Sequence, residues 1–185
     1  MKIINLGCGK KIRPEAINVD IMPGEGIDVV SDILVYLLYE KAESADIIYA
    51  SHIIEHFADQ KQIIYKIMRV LKKGGILHIT GPHSSCVTSI GCLGHYRTYS
   101  YNTFHDYLCK PWYMFKEPKF RTVYQKLSWW YEKSGDNVPK VLRPFIGTSN
   151  FIINFFIALS PRLFENIWWP LVGGAREVTW IGEKI

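Results

Sequence analysis

Cysteine is scarce in this chain, and its four residues, Cys8, Cys86, Cys92 and Cys109, form no Cys-x-x-Cys pair. A disulfide framework is thereby excluded as the basis of the fold, and reduced thiols in a cytoplasmic protein are expected. Cys86, Cys92 and His95, with His83 and His105 nearby, match no zinc-finger spacing, so no metal is expected. Long apolar runs are missing too. The strongest, Phe151 to Leu159, has nine residues, far short of the roughly 20 that span a bilayer as a helix. Glycine interrupts the apolar residues after Met1-Lys2 too early for a signal-peptide core, so secretion is not expected. There is no internal repeat and no low-complexity linker.

What is present is an ordinary globular composition, 48% hydrophobic and 21% charged over 185 residues, enough for one domain with a real core. The expected organisation is a single domain, 1–185, with a ligand-holding half to about residue 83 and an acceptor or cap half from about 84. The net charge of +5 is compatible with nucleic acid, phosphorylated substrates or an anionic membrane surface and singles out none.

Short apolar runs at Lys2 to Leu6, Ala16 to Ile21, Asp28 to Ile33, Ala45 to Ser51 and Ile76 to Thr80 read as strands. A helix-like segment, His52 to Phe57, follows the fourth. The clearest helix starts at Asp59, where Gln62 completes a capping box; Ile63, Ile64, Ile67, Met68 and Leu71 form its stripe, and Gly74-Gly75 should end it. Strands with a helix between the last two imply a parallel sheet and an α/β domain. Further on, Thr103 to Leu108 and Asn150 to Leu159 suit helices, Phe120 to Leu127 and Arg176 to Ile181 suit strands, and Gly135 to Pro144 suits a flexible connection.

Chemistry concentrates at the first turn. Gly7-Cys8-Gly9 directly follows a buried strand, where the lack of side chains lets a ligand approach backbone amides. Asp20 ends the next strand, where a carboxylate can accept both hydroxyls of a ribose, so the two features converge on one nucleoside. Asp32 could accept from an adenine amino group or cap a helix. A nicotinamide dinucleotide is disfavoured: Lys10, Lys11 and Ile12 stand where its third glycine belongs, and the acid comes too soon after the turn.

Ile4-Asn5-Leu6-Gly7-Cys8-Gly9, Asn18-Val19-Asp20, Tyr49-Ala50-Ser51-His52-Ile53-Ile54-Glu55-His56-Phe57 and Arg69-Val70-Leu71-Lys72-Lys73-Gly74-Gly75, in that order, resemble the motif set of class I S-adenosylmethionine-dependent methyltransferases. The resemblance implies a Rossmann-like, mostly parallel seven-stranded sheet with flanking helices and an antiparallel last strand. It implies S-adenosylmethionine as cofactor, with Gly7 and Gly9 passing its methionine and ribose parts, Asp20 holding the ribose, and Asp32 with Ile33 contacting adenine. Leu6, Cys8, Ile21 and Ser51 complete the expected cofactor set. Gly94-His95-Tyr96-Arg97-Thr98-Tyr99-Ser100 is similar to the stretch that follows the fifth strand in such enzymes, and His95, Arg97 and Tyr99 are expected to shape or bind the acceptor. The departure is Lys10 to Asp32, where two usual crossover helices have little room.

Methyl transfer from a sulfonium is an in-line displacement that mainly needs positioning. A protonated acceptor benefits from a base, and His52, just after the fourth strand, is the candidate, with helix capping as its other role. The implied function is methylation of a small or lipid-linked acceptor, in sugar or cell-surface polymer metabolism. The alternatives are a catalytically silent binding module and RNA methylation, the latter because aromatic and basic residues interleave from Lys110 to Lys126; the absence of an added nucleic-acid module disfavours it. The apolar run 151–159, on a basic protein and followed by Trp168-Trp169-Pro170, must be covered by core, a second copy in a homodimer, or a peripheral membrane contact.

Overall fold

A computed structural model describes residues 1–111, 115–129, 143–168 and 174–185, without the side chains of 87, 88, 143–148, 150 and 168. Seven strands, β1 (Ile3–Leu6), β2 (Ile17–Asp20), β3 (Val29–Val30), β4 (Ala45–Ser51), β5 (Leu71–Pro82), β6 (Phe120–Ser128) and β7 (Glu177–Lys184), form one sheet in the order β3-β2-β1-β4-β5-β7-β6. The first five pair in parallel, and β7 runs antiparallel to both β5 and β6. The helices are α1 (Ile33–Tyr39), α2 (Gln60–Val70), α3 (Val87–Ile90), α4 (Thr103–Cys109), α5 (Arg143–Leu159) and the short α6 (Pro161–Leu163), which runs into a π-helical turn at Phe164–Trp168.

All four β1 residues are buried, as a parallel strand covered on both faces requires. Asp59 caps α2 by accepting from the Gln62 amide, and Ile63, Ile64, Ile67 and Val70 bury its apolar stripe. This stripe joins Ile48 and Ala50 of β4, Leu77 and Ile79 of β5 and Val178 and Trp180 of β7 in one core that also takes Tyr99 and Phe104. β6 and β7 extend the same sheet that β1 to β5 begin.

Several expectations change. The third apolar run is a strand only at Val29–Val30: Asp32 accepts from the amides of Leu34 and Val35, and this cap starts α1 at Ile33. Helix α2 stops at Val70, earlier than Gly74, because Leu71 turns extended and pairs with Ala45, so Gly74 and Gly75 fall inside β5. Between His52 and Phe57 only a single 3-10 turn, Ile54–His56, forms. Helix α5 begins at Arg143, so the expected connection at Gly135 to Pro144 survives at most in its first eight positions, which lie outside the described residues, as do Trp112, Tyr113, Trp169 and Pro170.

No helix lies between β1 and β2 or between β2 and β3. The first crossover is a loop tied down by two buried amides. Asn5 Nδ2 donates to Lys11 O and Asn18 Oδ1 (both 2.9 Å), while Asn18 Oδ1 accepts from Arg13 N (3.0 Å) and its Nδ2 donates to Arg13 O (2.9 Å). Asp28 accepts from the Asn18 backbone amide at 2.7 Å and so fixes the second crossover to the same pair. Asn5 and Asn18 are 3% and 2% exposed, and their mutual satisfaction makes such burial affordable.

Candidate functional site

The strand order reverses between β1 and β4, which places a crevice beyond their carboxyl ends, the usual ligand position in open parallel sheets. Gly7-Cys8-Gly9 leaves β1 there, and His52 follows β4. Gly7 and Gly9 have φ of +59° and +50°, the left-handed region in which a side chain is strained. They differ in surroundings. A methyl group on Gly7 would lie 2.6 Å from Ile53, whereas one on Gly9 would meet nothing within 4 Å. Gly7 is thus shaped by packing, and Gly9 faces open space.

Asp20 closes the turn from the next strand. Its Oδ2 accepts from the Gly9 amide at 2.7 Å and its Oδ1 from the Met22 amide at 3.0 Å. Each oxygen keeps a lone pair, so the carboxylate remains competent to accept ribose hydroxyls. A cavity of about 700 Å³ opens beside it, lined by Gly9, Lys10, Asp20, Met22, Gly26 and Ile27 among others. Of the residues expected to hold the cofactor, Gly9 and Asp20 meet here. Met22, Gly26 and Ile27 escaped sequence reading, although the Met22-Pro23-Gly24 turn after an acidic strand end was the available signal. Leu6, Cys8 and Ile33 have buried side chains, so only their backbones can face a ligand. Burial and the charge of Asp20 raise the pKa of the Cys8 thiol, which keeps it protonated. Ile21 is exposed, Ser51 pairs with Thr80 at the end of β4, and neither lines the cavity. Asp32 Oδ1 is engaged in capping α1.

His52 has φ +53°, uncommon for a residue with a side chain and of a kind that clusters at functional edges. Its Nε2 lies 2.9 Å from Glu177 Oε1 on β7, and its Nδ1 lies 3.3 Å from Oε1 of the fully buried Glu55. Burial alone would lower its pKa. The hydrogen bonds and charges of Glu177 and Glu55 outweigh that and push it up to about 9. Burial likewise opposes ionisation of Glu177, but the His52 contact overrides it and holds Glu177 below the usual carboxylate range. At neutral pH, His52 therefore already carries its proton. A general base must arrive unprotonated, so the base role expected of His52 does not suit these surroundings. Its other expected role fails too, since neither ring nitrogen caps a helix. Nothing in the sequence around His52 announces Glu177, 125 positions away.

A second cavity, about 780 Å³, lies along the amino end of α2 and α4, lined by Ile54, Asp59, Gln60, Arg97, Tyr99 and Tyr107 among others. Gln60 Nε2 donates to the Tyr99 hydroxyl at 3.1 Å, and burial raises the Tyr99 pKa so that the phenol stays protonated. Arg97 and Tyr99 thus line one cavity together. His95 does not join them; its ring packs edge-on against His56, with centroids 4.8 Å apart.

A family model described as a methyltransferase domain matches residues 23–79. No curated protein matches by sequence. Among solved structures, the chain is similar to an S-adenosylmethionine-dependent methyltransferase from Archaeoglobus fulgidus, at 19% identity over 99% of this chain and 86% of that one, with a TM-score of 0.61. It is similar to the 1,6-didemethyltoxoflavin-N1-methyltransferase of Burkholderia thailandensis, solved with bound 1,6-didemethyltoxoflavin and S-adenosylhomocysteine, at 11% identity over 98% of this chain and 70% of that one, TM-score 0.56. It is also similar to the [4+2]-cyclase SpnF, at 13% identity over 99% and 75%, TM-score 0.55. The resemblance read from the sequence therefore holds: this chain has the Rossmann-like fold of the class I S-adenosylmethionine-dependent methyltransferases.

Proposed function

We propose that this protein is an S-adenosylmethionine-dependent methyltransferase acting on a small or lipid-linked acceptor. The observation that carries the reading is the Gly9–Asp20 pair beside an open cavity at the carboxyl ends of β1 and β2, β1 being one of the two strands between which the order reverses. Asp20 and the Gly9 cradle would hold the ribose and the adjoining methionine part of the cofactor, which supplies an electrophilic methyl on sulfur. The fold alone does not decide the reaction, since the cyclase SpnF shares it. The intact cradle favours methyl transfer over a silent binding module.

The residues of this chain then act mainly by positioning. The second cavity, with Arg97 and Lys61 among polar and aromatic groups, suits an acceptor that carries an anionic group, in keeping with sugar or cell-surface polymer chemistry. His52 contributes a fixed positive charge at the edge of the sheet and does not remove a proton at neutral pH. The exposed side of α5 supports a second element of the reading. Only Ile157 of the run 151–159 is fully buried, while Phe151, Phe155, Phe156 and Leu159 are 54–75% exposed, so the described part of the core leaves that side of the helix uncovered. No helix among the described residues is long and apolar enough to cross a membrane. Peripheral contact with a membrane carrying the acceptor would cover that side.

Calorimetry with S-adenosylhomocysteine and with NAD tests the cofactor reading. Binding of the first with no comparable binding of the second is expected; tight NAD binding, or none of S-adenosylhomocysteine, would overturn it.

A further inference from the structure

We propose that Glu55, His56 and His95 form a binding site for one divalent transition-metal ion, of which zinc is the simplest representative. One ligand atom from each of the three residues lies within 4.8 Å of the others, in contrast to the sequence expectation of no metal.

Three observations support the site. The first is Glu55, whose side chain is 0% exposed and whose Oε2 has no hydrogen-bond partner among the described residues, while Oε1 has only the His52 contact. A buried carboxylate with so few donors is costly, and its ion-pair partner among the described residues, His52, sits 3.3 Å from Oε1 alone. A metal ion would supply the missing partner. The second is the tautomer imposed on both histidines. His56 Nδ1 lies 2.8 Å from Gly94 O and His95 Nδ1 lies 3.1 Å from Ser89 O. A carbonyl can only accept, so each Nδ1 carries a proton, and in the neutral imidazole the lone pair then sits on Nε2. Carbonyl-anchored imidazoles of this kind are the usual outer support of metal ligands. The third is preorganisation of the loop that brings His95 in: the Tyr96 amide donates to Glu55 O at 2.8 Å, which fastens the loop to the 3-10 turn carrying Glu55 and His56.

Two imidazoles and one carboxylate suit zinc, iron, cobalt or manganese better than calcium or magnesium, which prefer all-oxygen shells. Ligand bonds to zinc are about 2.0 to 2.2 Å, so the three groups must draw together on binding. His56 is exposed and can make that adjustment. Three protein ligands leave at least one coordination position for water or another oxygen.

The test is a cobalt(II) titration of tag-free, chelator-treated full-length protein, read by visible absorption, with zinc added in competition and no methyl donor present. One cobalt per chain, displaced by one zinc, is expected. Glu55→Gln and His95→Ala should each weaken binding roughly tenfold or more, and His105→Ala, whose ring bonds to Thr122 elsewhere, should bind as the unmodified protein does. Circular dichroism of each variant separates lost ligands from lost fold, and His95, partly exposed, keeps the test open if Glu55→Gln misfolds. Absence of saturable one-to-one binding, or folded variants that bind as tightly as the original, would overturn the site while leaving the cofactor reading intact.

Discussion

Replacing Asp20 by alanine should separate its two jobs. In the free protein its carboxylate holds the Gly9 and Met22 amides at 2.7 and 3.0 Å, and in the complex it would also accept the ribose hydroxyls. A hydrogen bond to a charged group is worth about 1.5 to 3 kcal/mol, which corresponds to roughly a 10- to 150-fold change in dissociation constant. Asp20 is only half-buried, so solvent screening favours the lower part of that range. The two amides it releases are at the surface and can turn to water, so the loss of folding stability should be small beside the loss of affinity. Isothermal titration with S-adenosylhomocysteine, paired with thermal denaturation of the free variant, measures both. Asp20→Asn should fall between, because its amide presents one acceptor and one donor where two acceptors are needed. An Asp20→Ala protein that binds within about twofold of the original would refute the reasoning and leave Asp20 as a loop clamp.

Other perturbations probe the rest of the site and its support. Gly7→Ala and Gly9→Ala both force a side chain into the left-handed region, at about 1 to 2 kcal/mol, but only Gly7→Ala also crowds Ile53. Comparison of melting temperature and cofactor affinity should find Gly7→Ala worse in stability and Gly9→Ala worse in binding. Asn18→Ala strips partners from buried groups of the first crossover and should cost about 3 kcal/mol, seen as a melting point lower by roughly 6 to 12 °C; a drop under about 2 °C would mean that the loop does not depend on the clamp. The pKa of His78 is lowered, by burial first and by the Arg13 charge second, and its Nδ1 has no hydrogen-bond partner among the described residues. The unfolded chain then binds the extra proton, so this group's contribution to stability is present above the ordinary imidazole pKa and is lost as pH falls below it; His78→Phe should flatten that fall in urea titrations at successive pH values. Anionic liposomes should pellet the protein weakly at low salt and less at high salt, and no liposome-dependent pelleting at low salt would remove the membrane reading of α5.

Local patterns in the chain determined the glycine turn, the acid at the end of β2, the capped helix α2 and the α/β class, because each arises from neighbours within a few residues. Asp59 caps α2 as its spacing to Gln62 implied, and the positive φ of Gly7 and Gly9 follows from residue type at a strand end. Element ends were less legible. Leu71 fits the apolar stripe of a helix but becomes a strand residue because Ala45 offers it backbone partners. Only the tertiary structure decided the chemistry of the histidines. His52 holds its proton because β7 brings Glu177 to it across 125 positions, and His95 leaves the acceptor cavity to meet His56 because a loop amide fastens to Glu55. The Asn5–Asn18 clamp likewise exists only where two parallel strands lie side by side, and the exposure of α5 depends on which of its faces the sheet accepts. Such features depend on pairing between distant segments, and the order of residues along a chain carries no local signal for it.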